Sequence, residues 1–353
     1  MDKLRSPAAV TVPVHGSHEQ LASLAELNLD REVRVGLADG AGRNAWRRTV
    51  RAELEDEMSG SSFFTPLAFR DAEGDPVRAS AHIDELAEVV DVLLVYADSG
   101  STLLPAIQRA TRRGVYVVIF GGVVGGHPGS DFLASVNVGG GETVVRHGRR
   151  YGSWVSQAAT MAHGTAPADG VILHLGGTRE NAYSELVNAG LRKGSSIAVT
   201  DPVSTDWSAK EGTVAARESL KTYRRVVGIV SEDSAVALAA LREFRRVGHP
   251  LVPCATQDMN GLARLWYECR ENEPRFQLMT TSSRTWVVRV ALRRGVAAIL
   301  EAVWWEPTEF DFPVIEDTLS SRPPVWRPEL PDEAINSALV DASVLRRVLA
   351  EAE

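Results

Sequence analysis

The sequence predicts an α/β protein built as two doubly wound parallel-sheet lobes, on three observations. Short β-branched runs alternate with amphipathic segments of period 3.6 along most of the chain. The alternation breaks at a Gly-rich stretch, GGVVGGHPGSDF, and resumes near Ser135. The length, 353 residues, suits about two domains. Strands separated by helices of this size need crossover connections, hence parallel sheets with helices on both faces.

Residues 1–31 are polar and Pro-containing, with one weak helical stretch, EQLASLAEL, and read as an N-terminal arm. REVRVGLAD is the first strand and NAWRRTVRAELEDEM its helix, and FFTPLAFRD with RASAHIDELAEV is the second pair. DVLLVYAD, LLPAIQRATRRG and VYVVIFGG follow as strand, helix and strand, with Gly114 as the helix stop. In the second series RRYGSWVSQAATMAHG is a helix, DGVILHLGG a strand, NAYSELVNAGLRKG a helix and SSIAVTDPVS a strand. KEGTVAARESLKTYR, VVGIVSED, DSAVALAALREFRRVG, HPLVPCATQ and GLARLWYECREN continue the alternation, and RFQLMTTSS with TWVVRVALRRGVAAILE closes it. The Pro-containing tail from Val303 to Glu353 is expected to wrap the surface rather than found a third domain.

Composition excludes several classes of function. Lys and Arg number 38 against 46 Asp and Glu, a net charge of −8, so there is no basic footprint for nucleic acid. No window reaches the ~18 uninterrupted apolar residues of a membrane span. The opening MDKLRSPAAVTVPVHGSHEQ lacks the apolar run of a signal peptide, which leaves a cytoplasmic protein or one whose export signal has been removed. Cys254 and Cys269 are the only cysteines, and free buried thiols are expected. The eight histidines form no H-x-x-x-H or H-E-x-x-H, and no G-x-S-x-G occurs. His174 reads as a hydrogen-bonded core residue on a buried strand. Neither a metal, a cofactor nor a catalytic constellation is expected.

The sharpest local motif, Gly40-Ala-Gly42-Arg-Asn-Ala45, lies between the first strand and its helix and has two readings. As G-x-G-x-x-A it offers a pyrophosphate loop, with Asp71 as the ribose acid of an NAD(P)-dependent oxidoreductase. Against this, Asp71 stands nearer 30 than ~20 residues beyond the glycines, and Trp46 sits where the chain should pack tightly. Alternatively, Arg43, Asn44 and Trp46 place a guanidinium, an amide and an indole at the carboxyl edge of a parallel sheet, where ligands bind. Sugars and polyols need that combination, polar groups for hydroxyls and an aromatic face for C–H. Taken singly, Trp46 is equally a core residue and Asn44 equally a helix N-cap.

GRNAWRRTVRAEL resembles the first loop and helix of sugar-binding proteins of ABC transporters, in the ribose-binding-like branch of the type I periplasmic-binding-protein superfamily. DVLLVYADSGSTLLPAIQRATRRGVYVVIFGG, DGVILHLGG with NAYSELVNAGL, STDWSAKEG, VVGIVSEDSAVALAALREFRRVG and TQDMNGLARLWYE with TTSSRTWVVRVAL resemble its later segments in the same order. The similarity runs from about Val33 to Ala302. It implies two lobes joined by a three-segment hinge, with a monosaccharide or polyol captured in the cleft between them and released to an ABC permease. The implied domains are 32–136 plus 284–302 and 137–283 plus 303–345, with crossings near 136–139, 282–284 and 303–306. The implied ligand contacts are Arg43, Asn44, Trp46, Arg47, Asn181, Trp207, Asp233, Asp258 and Arg284, where Asp258 is equally a helix N-cap. The implied protein is a monomer, periplasmic or anchored at the cell surface as a lipoprotein, and not an enzyme. Three departures bear on the ligand: Gly121 stands where a carboxylate or amide is usual, Val187 where an arginine is, and Glu232 where an asparagine is. Arg179, Asn181 and Tyr183 are candidate replacement donors. The superfamily also holds repressors, but no pair of helices with a DNA-binding turn precedes the first strand. A sugar-sensing effector domain of a truncated regulator stays open beside the oxidoreductase.

Overall fold

A computed structural model of the chain describes residues 21–40, 42, 44–136, 141–179 and 181–350. The chain divides into two compact units, each made of separated segments. Unit 1 comprises Met1–Gly139, Arg284–Asp311 and Ala338–Glu353, and unit 2 comprises Gly140–Ser283 and Phe312–Ser337.

In unit 1 the strands are β1 (Val35–Asp39), β2 (Ala68–Asp71), β3 (Val92–Tyr96), β4 (Tyr116–Phe120) and β5 (Ala134–Val136). They form one parallel sheet in the order β2-β1-β3-β4-β5. The helices between them are α1 (Ala45–Ser59), α2 (Pro76–Leu86) and α3 (Leu104–Arg112). β1, β3 and β4 are nearly all apolar because both faces are covered. On one face Val35, Leu37, Leu94 and Phe120 pack with Val50 and Leu54 of α1. On the other, Leu93, Val95 and Ile119 pack with Ile83 of α2 and Ile107 of α3. Of the N-terminal arm expected over 1–31, residues 1–20 lie outside the described residues, while Ala22 is buried in this core and Leu21 and Leu29 pack against it. Leu24 and Leu27 are buried in it on a 3-10 turn that Ser23 and Glu26 close as a capping box.

Unit 2 begins with α4 (Glu142–His163), followed by β6 (Val171–Gly176), α5 (Ala182–Gly194), β7 (Ala198–Val199) and β8 (Val203–Ser204). Next come α6 (Ala209–Thr222), β9 (Val226–Ser231), α7 (Ser234–Arg246), β10 (Cys254–Gln257), α8 (Asn260–Cys269) and β11 (Leu278–Thr281). The chain then returns to unit 1 for α9 (Val287–Ile299), enters unit 2 for β12 (Val314–Asp317), and ends in unit 1 with α10 (Ala342–Ala350). The second sheet runs β12-β11-β10-β9-β6-β7, with β8 also on β6. Its strands are parallel except β12, which pairs antiparallel with β11. The single strand expected over 195–204 is two short ones, parted by Pro202, which has no amide to give a ladder.

The tail therefore does more than wrap a surface: it supplies a strand to one sheet and a helix beside α1. Its course also differs from the expected boundaries. Glu306 accepts from Arg293 of α9 and from the Ala22 amide, and Phe310 stands edge-on to Trp286, 5.1 Å between ring centres, so the stretch to residue 311 stays with unit 1. The third passage lies at Asp311–Phe312 rather than 303–306, and a fourth follows at Ser337–Ala338. Cys254 and Cys269 are both free and buried, and burial alone pushes the Cys254 thiol up to about 12. Among the described residues no helix is long and apolar enough to cross a membrane.

Candidate functional site

At the carboxyl edge of the unit 1 sheet, β1 ends in Asp39 and α1 begins at Ala45. Asn44 is the N-cap of α1, its Oδ1 accepting from the Arg47 amide at 2.9 Å. Arg47 is 6% exposed and held from two sides, by Asp39 at 3.1 Å and Asp98 at 2.6 Å. Its guanidinium also lies 3.3 Å from the ring centre of Tyr96. Trp46 is half-buried and meets Tyr96 edge-on at 5.3 Å, and Tyr96 meets Phe120 in the same way at 5.3 Å. An aromatic row thus crosses the ends of α1, β3 and β4, with an arginine clamped beneath it.

Burial pushes the Asp98 carboxyl up to about 6, with Arg47 pulling it back and Asp39 adding to the rise. Burial likewise raises the Tyr96 hydroxyl to about 12, while Arg47 lowers it. Gly40 is required here: a side chain at residue 40 would place its Cβ 2.5 Å from Asp98 Oδ2. Gly42, at φ +82°, lies against Asp71 in the same way. The two glycines of the expected phosphate loop therefore face carboxylates, and a pyrophosphate there would meet like charge. The nucleotide reading fails on that ground.

At the carboxyl edge of the unit 2 sheet the central group is Glu232, next after β9. Its Oε1 is 3.0 Å from His174 Nε2, and its Oε2 accepts from Ser184 Oγ at 2.9 Å and Trp207 Nε1 at 3.2 Å. Arg192 Nε donates to Asn188 Oδ1 at 2.8 Å, so the Asn188 amide nitrogen faces His174 Nδ1 at 2.9 Å and Thr200 O at 2.8 Å. His174 Nδ1 is consequently an acceptor, and Nε2 carries the proton given to Glu232. Trp207 sits at φ +50° and its indole covers Gly177, where a side chain would run into the ring.

Asn181 caps α5, accepting from the Tyr183 and Ser184 amides at 2.9 and 3.3 Å. Asp233 caps α7 through the amides of Ala235 and Val236, and burial raises it to about 6. A cavity of about 300 Å³ opens beside α5, lined by Thr178, Arg179, Asn181, Glu185 and Ser204 among others.

The expected contacts thus fall into distinct groups. Trp46, Asn44 and Arg47 converge at the unit 1 edge, and Asn181, Trp207 and Asp233 at the unit 2 edge. Arg43 lies outside the described residues. Arg284 is half-buried at φ +51°, donates to the Phe310 carbonyl at 3.4 Å, and lowers the pKa of Tyr96 through its charge. Asp258, next after β10 at the carboxyl edge of the unit 2 sheet, is not the N-cap of α8, which is Met259. It is 0% exposed, and both its oxygens are taken by Ser283 and Ser337. Among the departures, Gly121 lies against the Tyr96 ring, which leaves no room for a carboxylate, and Val187 is core. Sequence reasoning missed Asp39, Tyr96 and Asp98. All three stand at or just past the ends of β1 and β3, the positions that the strand-end rule marks.

Over residues 37–266 the sequence matches the periplasmic binding protein domain family. No curated protein matches it. Among solved structures it is similar to a galactofuranose binding protein, with 12% identity and a TM-score of 0.66 over 80% of this chain and 93% of that one. It is also similar to the fructose binding periplasmic domain of a hybrid two component system, at 14% identity and a TM-score of 0.66 over 82% and 91%. A Caulobacter myo-inositol binding protein gives 18% identity and a TM-score of 0.61 over 80% and 92%.

Proposed function

The chain belongs to the periplasmic binding protein domain family, and from that premise we propose that it captures a monosaccharide or polyol, with the carboxyl edge of the unit 1 sheet supplying contacts. The observation that carries this reading is the half-buried Trp46–Tyr96 pair set among fixed carboxylates and a capped helix start. The indole offers an apolar face to the C–H side of a ring, and Asn44 offers an amide to hydroxyls. Arg47 acts through its neighbours, holding Asp39, Asp98 and Tyr96 in place. The process is capture without bond-making, coupled to an ABC permease and carried out outside the cytoplasm by a monomer. The names of the similar structures, which include a furanose, fructose and a cyclic polyol, support the ligand class.

Calorimetric titration against D-fructose, D-galactose, myo-inositol and NAD tests the reading. At least one polyol should bind, and Trp46→Ala should weaken it by about 2 kcal/mol, as for a buried aromatic anchor. Binding of NAD with none of the polyols would overturn it. Unchanged affinity in the variant would remove Trp46 from the site.

A further inference from the structure

Gly121 and Tyr96 share one space at the carboxyl edge of the unit 1 sheet. A Cβ at residue 121 would lie 2.2 Å from Tyr96 Cε2 and 2.7 Å from Cζ, the carbon that carries the hydroxyl. The phenol therefore stands where a side chain at 121 would extend, and Gly121, at φ +72°, leaves room for it. Most of the Tyr96 ring is already engaged. The Arg47 guanidinium lies over it, 3.3 Å from the ring centre, and Trp46 and Phe120 each meet it in a T-shaped contact at 5.3 Å. What remains is the oxygen. Tyr96 is half-buried, and among the described residues its hydroxyl has no hydrogen-bond partner. The Tyr151 hydroxyl, by contrast, is buried and bonded to Thr256 O at 2.6 Å and Thr281 Oγ1 at 2.7 Å. Tyrosine hydroxyls enclosed by a fold find partners within it, and one left over at a sheet edge is available to a ligand.

We propose that the Tyr96 hydroxyl is the group with which unit 1 hydrogen-bonds a ligand oxygen, in the place that Gly121 leaves without a side chain. The proposal rests on the capture of a monosaccharide or polyol and supplies the polar half of an aromatic contact. Trp46 gives the apolar face, and Tyr96 gives the hydrogen bond. A phenol differs from a carboxylate at this point in two ways. It is neutral, because burial holds its pKa up at about 12, and it donates as well as accepts. The hydroxyl is also fixed in place. With Arg47, Trp46 and Phe120 around a ring that turns on two dihedrals, little conformational freedom is lost when a ligand arrives.

Tyr96→Phe, which removes one oxygen and keeps the ring, tests it on the full chain. Calorimetric titration with D-fructose, D-galactose and myo-inositol is set beside urea unfolding. The expected result is a roughly three- to tenfold loss of affinity for whichever of the three the wild type binds. The urea midpoint should stay unchanged, because the oxygen bonds nothing in the fold. Gly121→Ala keeps the hydroxyl but crowds the ring, and should weaken binding at least as much. Unchanged affinity in Tyr96→Phe would overturn the proposal. So would a fall in affinity matched by a fall in the midpoint, which would make the hydroxyl a part of the fold. Wild-type affinity in Gly121→Ala would show that the placement of the phenol is immaterial, and the proposal would fail on that too. Should Gly121→Ala not fold, Tyr96→Phe decides alone. Binding of none of the three by the wild type would defeat the capture reading itself, a result distinct from all of these.

Discussion

The two sheet edges solve one problem with opposite charge. In unit 1 a cation is buried between two carboxylates, Arg47 between Asp39 and Asp98. In unit 2 a carboxylate, Glu232, is buried among the neutral donors of His174, Ser184 and Trp207. Both occupy the carboxyl ends of parallel strands, where backbone polar groups and loops converge. The difference teaches that the same topology does not dictate the electrostatics of its edge. It also separates the failure modes. Unit 1 depends on charge balance, whereas unit 2 depends on a count of hydrogen-bond donors and acceptors.

The sharpest way to break the contrast is Arg47→Met. It keeps an apolar stem against Tyr96 but leaves two buried carboxylates facing one another, and should cost about 3–5 kcal/mol of stability in urea unfolding. A loss well under 1 kcal/mol would mean that the pair is solvated and the contrast false. The next effect is on pH. Asp98 is raised to about 6, so between about pH 4 and 6 the folded state holds a proton that the unfolded chain has lost. Its contribution therefore falls as pH rises through that window, by at most about 3 kcal/mol. Glu243, pulled down to about 2 by Arg246 and Arg217, acts in the opposite sense but at lower pH. Urea midpoints measured from pH 4 to 7 should decline more steeply in the wild type than in Asp98→Asn; parallel profiles would acquit Asp98. The smallest effect should be Glu232→Gln. The amide has one acceptor oxygen for three donors, so at least one donor is stranded, at about 1–3 kcal/mol. A neutral result would show that water or a rotated indole satisfies them.

The fold was legible because alternation of apolar strands with period-3.6 helices is a local signal repeated along the chain. β12 was not, since VIED is a short mixed run in a Pro-containing tail, and its pairing with β11 is a tertiary event. Which residues stand at the strand ends was legible from the strand-end rule, but what each side chain touches was less so. Asn44, Asn181 and Asp233 all prove to be N-caps, because the residue types that bond hydroxyls are those that bond free helix amides. Asp258 could not be assigned from its neighbours at all. Its partner Ser337 lies 79 residues away, and nothing local distinguishes a carboxylate aimed at solvent from one enclosed by a distant return of the chain.

The interleaving of segments has a consequence for how the chain comes into being. Unit 1 takes in α10 and the sheet of unit 2 takes in β12, both lying beyond residue 311. A ribosome must release residues up to 317 before β12 can join its sheet, and up to 350 before α10 can pack on α1. The usual vectorial order, in which an N-terminal domain folds while the next is still being made, is therefore not open to it. Truncation after residue 311 would take elements from both halves at once. Quality control that reads exposed apolar surface would see an all-or-none substrate.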